Sequence, residues 1–198
     1  MSNRRKIRET VLQAIYSSII GDHSPEHVLQ TIVKPNLSQD TAGLAFAEKL
    51  YLRSLDNRSD VEEIISKHIA NWEIERLATV DRFILQMAIT ELLTFEDIPT
   101  KVTINEAIEI AKEYSTAKSG RFVNGILDAA LISLQQEGKL KKKGRGLIDA
   151  PARRPHAGPV DYGQDEDFPE DASQQEPIDP DRPAATKKKR IKRPKRSP

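Results

Sequence analysis

TVDRFILQMAITELLTF, residues 79–95, is the most informative stretch of this chain of 198 residues. A surface helix carries one apolar stripe, whereas a helix drawn through these residues carries apolar side chains nearly all round. The apolar positions are Val80, Phe83, Ile84, Leu85, Met87, Ala88, Ile89, Leu92 and Leu93. Such a helix has to be covered by other elements, so the sequence predicts a central buried helix within a larger helical fold.

Further segments on both sides of the central one also have apolar residues at helical spacing. No segment shows the sustained two-residue alternation of a half-buried strand, which favours an all-α fold. The seven predicted helices cover about 3–20, 25–34, 38–55, 59–69, 79–95, 100–114 and 119–136, and the second is expected to end before Pro35. Ser24 with Pro25, and the capping box from Ser59 to Glu62, are typical helix starts. The short connections predict a compact bundle, or two small bundles that share the central helix.

Charge and proline content divide the chain at residue 138. Residues 1–138 carry 15 basic and 20 acidic side chains, a net charge of −5, and residues 139–198 carry 16 and 10, a net charge of +6. Nine of the 12 prolines, but only eight large apolar residues, lie after residue 138. This leaves too little apolar surface to offset the entropy of ordering. The predicted domains are a helical domain at 1–138 and a disordered charged tail at 139–198.

Several classes of function lack their sequence signals. Cysteine is absent, which excludes disulfides and thiolate zinc sites, and no apolar run is long enough to span a bilayer. His23 and His27 have the spacing of two ligands on a helix, but Pro25 lies between them and no third ligand is indicated. No nucleophile, acid–base pair or phosphate loop is recognisable. We therefore expect a soluble cytoplasmic protein that is not an enzyme, has no cofactor or metal, and does not bind membranes.

The first helix begins with a group of basic residues. Arg4, Arg5, Lys6 and Arg8 lie where the dipole of the helix disfavours cations. They are either a solvated basic end or a patch that grips the phosphates of a nucleic acid.

A second basic group lies at the start of the last helix. Lys118 and Arg121 are followed there by Phe122, whose ring either belongs to the core or stacks on an unpaired base. If the first and last helices lie together, the two groups form one basic surface on an otherwise acidic domain.

Four segments, taken in order, carry a resemblance to a known family. They are RRKIRETVLQAIY from Arg4, NWEIERLATVDRFILQMAITELL from Asn71, DIPTKVTINEAIEIAKEYS from Asp97 and SGRFVNGILD from Ser119. Together they resemble the NusB family of bacterial transcription antitermination factors, over about residues 3–136. The resemblance implies an all-helical domain of two small bundles joined along a central helix, which agrees with the helices predicted above.

The same resemblance implies a function. NusB-like proteins are RNA-binding factors without catalytic activity that pair with NusE, a ribosomal small-subunit protein. The pair binds the single-stranded boxA element of nascent ribosomal RNA and helps the RNA polymerase elongation complex to transcribe rRNA operons without terminating. Whether the free protein forms a homodimer is left open.

The motifs of the family also imply roles for individual residues. The resemblance assigns RNA contacts to Arg4, Arg5, Lys6, Arg8, Lys118, Arg121 and Phe122, and contacts with NusE to Tyr16, Glu75 and Asp81. NusE is expected to be basic, which suits Glu75 and Asp81 as charge partners. Two alternatives stay open, because Asp81 near a helix start also complements the helix dipole and Tyr16 also fits a core position.

A second hypothesis belongs to another class of function. In this hypothesis the helical domain is an interaction scaffold or homodimer, and its basic start is incidental. Any nucleic-acid binding is then done by the tail, which has eight cations between Lys187 and Arg196. Truncation at Gly138 separates the two hypotheses, because only the RNA-binding domain would then keep its affinity for RNA.

Overall fold

The computed structural model describes residues 4–69, 77–116 and 118–144. All of them belong to Met1–Gln164, the first of two units of the chain, and the second unit, Asp165–Pro198, lies outside the described residues. The predicted tail therefore lies outside them too, apart from residues 139–144. Within the described ranges, no helix combines the length and the apolar character needed to cross a membrane.

The described residues form helices and no β-strand, which confirms the predicted all-α fold. We number seven helices: α1 (Arg4–Ile19), α2 (Pro25–Val28, continued by a π-helical turn Leu29–Val33 and by Lys34–Leu37), α3 (Thr41–Asp56), α4 (Arg58–Ser66), α5 (Thr79–Thr94), α6 (Thr100–Tyr114) and α7 (Ser119–Gln136).

Helix α5 is the centre of the bundle, as its apolar character predicts. Ten consecutive residues, Phe83 to Leu92, are buried. On one side α5 packs against α1 and α3, and on the other against α4, α6 and α7. The helix α2 completes the first group by packing against α1 and α3. Two small bundles thus share α5.

Two helix boundaries differ from the prediction. The second helix passes through Pro35 and ends at Leu37, because the π-helical turn before it widens the backbone where the proline ring lacks a donor. Helix α4 begins at Arg58, so the predicted capping box from Ser59 lies inside the helix, and Glu62 pairs with Arg58 (3.0 Å). The cap of α2 is confirmed, since Ser24 accepts a hydrogen bond from the backbone N–H of His27.

The chain remains attached to the bundle after α7. Gly138 has a positive φ of 65°, and the N–H groups of Gly138 and Lys139 donate to the carbonyls of Gln135 and Leu134. This is the Schellman pattern of a helix end. The Leu140 side chain packs on the core, and the Lys143 N–H donates to the Glu96 carbonyl (2.8 Å). Contacts with the bundle therefore continue past the boundary predicted at residue 138.

Candidate nucleic-acid interface

The first turn of α1 presents cations to solvent. Arg4 and Lys6 are exposed and Arg5 is half-buried, and the turn contains no acidic residue. The Lys6 Nζ lies 4.0 Å from a carboxylate oxygen of Glu9, one turn further on. Because the amides of a first turn lack intrahelical partners, their partial positive charge adds to that of the side chains.

Arg5 connects this turn to the middle of α6. Its Nε donates to the Glu106 carboxylate (3.3 Å), and its Nη1 lies 3.9 Å from Glu109. The other Glu109 oxygen accepts from Lys112 Nζ (2.7 Å). The hydrogen bond and charge of Lys112, with a smaller contribution from Arg5, lower the pKa of Glu109. Glu106 and Glu109 therefore hold cations in place.

The start of α7 adjoins Lys112. A Cβ built on Gly120 would lie 2.9 Å from Lys112 Cγ, so the absence of a side chain at this position lets the lysine cross the first turn of α7. Lys118 and Arg121 flank Gly120, and both are exposed. Two carboxylates and one lysine of α6 thus bridge the first turns of α1 and α7.

We call the six cations Arg4, Arg5, Lys6, Lys112, Lys118 and Arg121 the basic surface. Lys112 is not among the RNA contacts predicted from the sequence. The sequence signal for Lys112 was partial. Lys112 lies one turn after Glu109 on α6 and shortly before the loop into α7, but no sequence pattern shows that Glu109 lies beside α1.

The loop before α7 is held in place by the buried carboxylate of Asp81. The buried Ser119 hydroxyl donates to Asp81 Oδ2 (2.7 Å) and accepts from the backbone N–H of Thr116 (3.2 Å). Asp81 is fully buried near the start of α5. This contact holds together the first turns of α5 and α7, next to the two cations of α7.

The predicted RNA contact of Arg8 is corrected by the structure. Arg8 is 4% exposed, and its guanidinium donates to both oxygens of the buried Glu91 carboxylate (2.7 and 2.6 Å). The hydroxyl of Thr103 donates to the same carboxylate (2.7 Å). Because the N–H groups of its guanidinium donate to Glu91 inside the bundle, Arg8 has a structural role and does not belong to the basic surface.

Three further site predictions have different outcomes. Phe122 is 4% exposed, so its ring belongs to the core and does not face a base, and the burial of Asp81 removes that carboxylate from any protein-binding surface. Tyr16 is half-buried, with its ring edge against Phe83 (centroids 6.2 Å apart), and its contact with NusE stays a prediction. Glu75 lies outside the described residues.

Comparisons with known proteins agree on one family. A family model described as the NusB family matches residues 5–131. A transcription antitermination protein NusB from Salinibacter ruber is 47% identical over 158 residues, which cover 80% of this chain and 99% of the relative. That match is 20 residues longer than the predicted domain of 138 residues, so the similarity continues past Gly138.

Solved structures show the same fold. A structure of NusB from T. maritima is 36% identical with a TM-score of 0.61, and the match covers 70% of this chain and 96% of that one. A crystal structure of the antitermination factors NusB and NusE in complex with dsRNA is 24% identical with a TM-score of 0.60, covering 66% of this chain and 96% of that one. At this identity the second likeness shows the fold alone.

Proposed function

Since this chain belongs to the NusB family, we propose that it is a non-catalytic transcription antitermination factor of the cytoplasm. It binds a boxA-type single-stranded segment of nascent ribosomal RNA together with NusE. The pair then acts on the RNA polymerase elongation complex and supports processive transcription of rRNA operons. The chemistry is binding, with no bond made or broken.

The observation that supports RNA binding best is the continuity of the basic surface. Cations from α1, α6 and α7 follow one another across the molecule, linked by Glu109 and by the close approach of Lys112 to Gly120. A row of guanidinium and ammonium groups matches the repeated phosphates of an extended strand, and the arginines can hold phosphate oxygens bidentately. Sequence would then be read by other groups, NusE among them.

The proposed NusE surface starts from Tyr16. The tyrosine is only half-buried although its ring lies against Phe83 of the central helix, so part of it is available to a partner. Glu75, carried over from the family, would add a carboxylate for a basic ribosomal protein. Asp81, whose buried carboxylate accepts a hydrogen bond from Ser119 of α7, is not assigned to the NusE surface.

The RNA-binding proposal is tested by fluorescence anisotropy with a labelled boxA-type RNA and a scrambled RNA, with and without NusE. Four to six phosphate contacts give a slope of log affinity against log salt of about −3 to −4, which is roughly a hundredfold loss between 50 and 200 mM salt. Arg4→Gln with Arg121→Gln should make this slope less steep by about 1.4. The matched control is Arg53→Gln with Arg58→Gln, which removes the same charge from the ends of α3 and α4.

An unchanged slope in the Arg4→Gln, Arg121→Gln variant would refute the basic surface as the RNA site. A chain that ends after Gly144 tests the scaffold hypothesis, because it keeps the packed Leu140 and removes the terminal cations. If this shortened chain retains NusE-dependent affinity for the boxA-type RNA, the helical domain is the binding unit. Loss of all binding would favour the scaffold. In vitro transcription through a terminator then measures antitermination itself.

A further inference from the structure

A second group of cations lies outside the basic surface. It consists of Lys141, Lys142 and Lys143, after α7, and Lys49 of α3, and we call these four residues the lysine cluster. The first three do not belong to a freely moving chain, because the Lys143 N–H donates to the Glu96 carbonyl (2.8 Å) and Leu140 packs on the core. The backbone that carries them is therefore already fixed before any partner binds.

The side chains of the lysine cluster converge on the connection between α5 and α6. Lys142 Nζ donates to the Phe95 carbonyl (2.8 Å), and Lys49 Nζ lies 4.9 Å from the centroid of the Phe95 ring. Lys143 Nζ lies 2.7 Å from the Glu96 carboxylate, yet 79% of its side chain is exposed.

Glu96 is the carboxylate that these lysines share. The hydrogen bond from Lys143, and the charges of Lys143, Lys141 and Lys49, lower the pKa of Glu96. Glu96 thus pairs directly with Lys143, and the charges of Lys141 and Lys49 act on it at longer range. The surplus of positive charge is suited to an anion with several charged groups, such as a nucleic-acid backbone.

Two aromatic rings connect the lysine cluster to the first turn of α1. The ring centroids of Phe46 and Phe95 are 4.7 Å apart, and Arg8 Cζ lies 5.3 Å from the Phe46 ring. Arg8 in turn donates to the Arg4 carbonyl (3.1 Å). The lysine cluster is therefore linked to the backbone of the first turn of α1 by two rings and the buried guanidinium of Arg8.

We propose that the lysine cluster extends the path of the bound RNA. A strand held by the basic surface continues from the first turn of α1, past Phe46 and Phe95, to Lys49, Lys141 and Lys143, which contact its phosphates. This inference rests on the proposed function, and it adds a second contact region that serves only RNAs long enough to reach it. Because the cluster reads phosphates, it raises affinity without adding base specificity.

The test compares two RNAs with the same boxA-type core, one of about 6 and one of about 14 nucleotides, within the range of single-strand site sizes. Both are titrated into the full chain by anisotropy at 50 and 200 mM salt. Lys141→Gln with Lys143→Gln should leave affinity for the short RNA unchanged. For the long RNA, losing two phosphate contacts should lower affinity about tenfold at 200 mM salt and make the salt slope about 1.4 less steep.

The matched control, Arg58→Gln with Lys67→Gln, removes two cations that pair with glutamates on α4. It should leave the affinity for both RNAs within about twofold of the unmodified chain, because neither cation belongs to the basic surface or the lysine cluster. Exposed ion pairs of this kind also contribute little to stability, so the fold should be kept. Far-UV circular dichroism of each variant checks that the helices are intact.

The outcomes separate this inference from the proposed function. If Arg4→Gln with Arg121→Gln weakens binding of both RNAs while the Lys141, Lys143 variant binds the long RNA normally, the path extension is wrong and the proposed function stands. If the Lys141, Lys143 variant loses the same affinity for both RNAs, the path extension is also wrong, because the loss would then be a long-range effect of charge. If the Arg4, Arg121 variant binds both RNAs normally, the proposed function fails and the extension with it.

Discussion

Glu91→Ala should destabilise the protein severely, because it leaves a buried guanidinium without its counter-charge. Glu91 is fully buried and Arg8 is 4% exposed. The carboxylate accepts two hydrogen bonds from Arg8 (2.7 and 2.6 Å) and one from Thr103 (2.7 Å). Since these residues belong to α1, α5 and α6, a single carboxylate joins three helices at the centre of the fold.

The size of the loss follows from this burial. Removing one partner of a buried ion pair costs about 3–5 kcal/mol, out of a total free energy of unfolding of about 5–15 kcal/mol for a typical domain. With about 130 residues in the bundle and an unfolding entropy of about 2.1 cal/mol/K per residue, the melting temperature should fall by about 10–18 °C.

Urea unfolding followed by far-UV circular dichroism measures the effect. The control is Glu63→Gln, whose pair with Lys67 involves a side chain that is 71% exposed, and it should cost less than about 1 kcal/mol. Replacing the pair by Arg8→Met with Glu91→Leu should recover most of the stability, because no buried charge is then left unpaired. A cost below about 1 kcal/mol for Glu91→Ala, or a double variant no more stable than the single one, would refute this reasoning.

Three further outcomes are expected. Ser119→Ala removes a buried donor from Asp81 and should cost about 1–3 kcal/mol in urea unfolding, against almost nothing for the exposed Ser59→Ala. Burial, and then the charge of Lys67, lowers the pKa of His68 below its ordinary value of 6.5, so the unfolded chain takes up the proton first. Stability should therefore fall as pH drops from 7 to 5.5, and His68→Gln should lessen that fall. Glu109→Gln removes a negative charge from the basic surface and the charge that pairs with Lys112, while Arg5 keeps its hydrogen bond to Glu106, so RNA affinity should rise about threefold in anisotropy titrations. A loss of affinity would contradict a phosphate-binding role for the basic surface.

The central helix could be predicted from the sequence because the apolar pattern of its own residues indicates that it is buried. Apolar side chains nearly all round α5 leave little of the helix for solvent, and ten consecutive residues from Phe83 to Leu92 are buried. The end of α2 could not be predicted in the same way. Proline ends a regular α-helix, but the π-helical turn that accommodates Pro35 depends on packing against α1 and α3, which no local pattern reports.

Part of the site could be predicted and part could not. The sequence indicates that cations gather at two helix starts, but their connection runs through Lys112 and Glu109, which are recognisable only once α1 and α6 are adjacent. For Phe122, helical spacing indicates a core position, because Phe122 lies four residues before the buried Ile126 and so on the same face of α7. The stacking interpretation relied on the neighbouring charges instead of this spacing.

Arg8 shows why RNA affinity alone does not identify the residues that contact RNA. It lies three, four and seven residues before Val11, Leu12 and Ile15, all buried, so helical spacing already places it on the inner face of α1. Arg8→Ala should lower apparent RNA affinity simply because fewer molecules are folded. Corrected for the folded fraction, its salt slope should equal that of the unmodified chain, whereas Arg4→Gln should make the slope less steep by about 0.7. A flattened slope for folded Arg8→Ala would return this arginine to the RNA-binding surface.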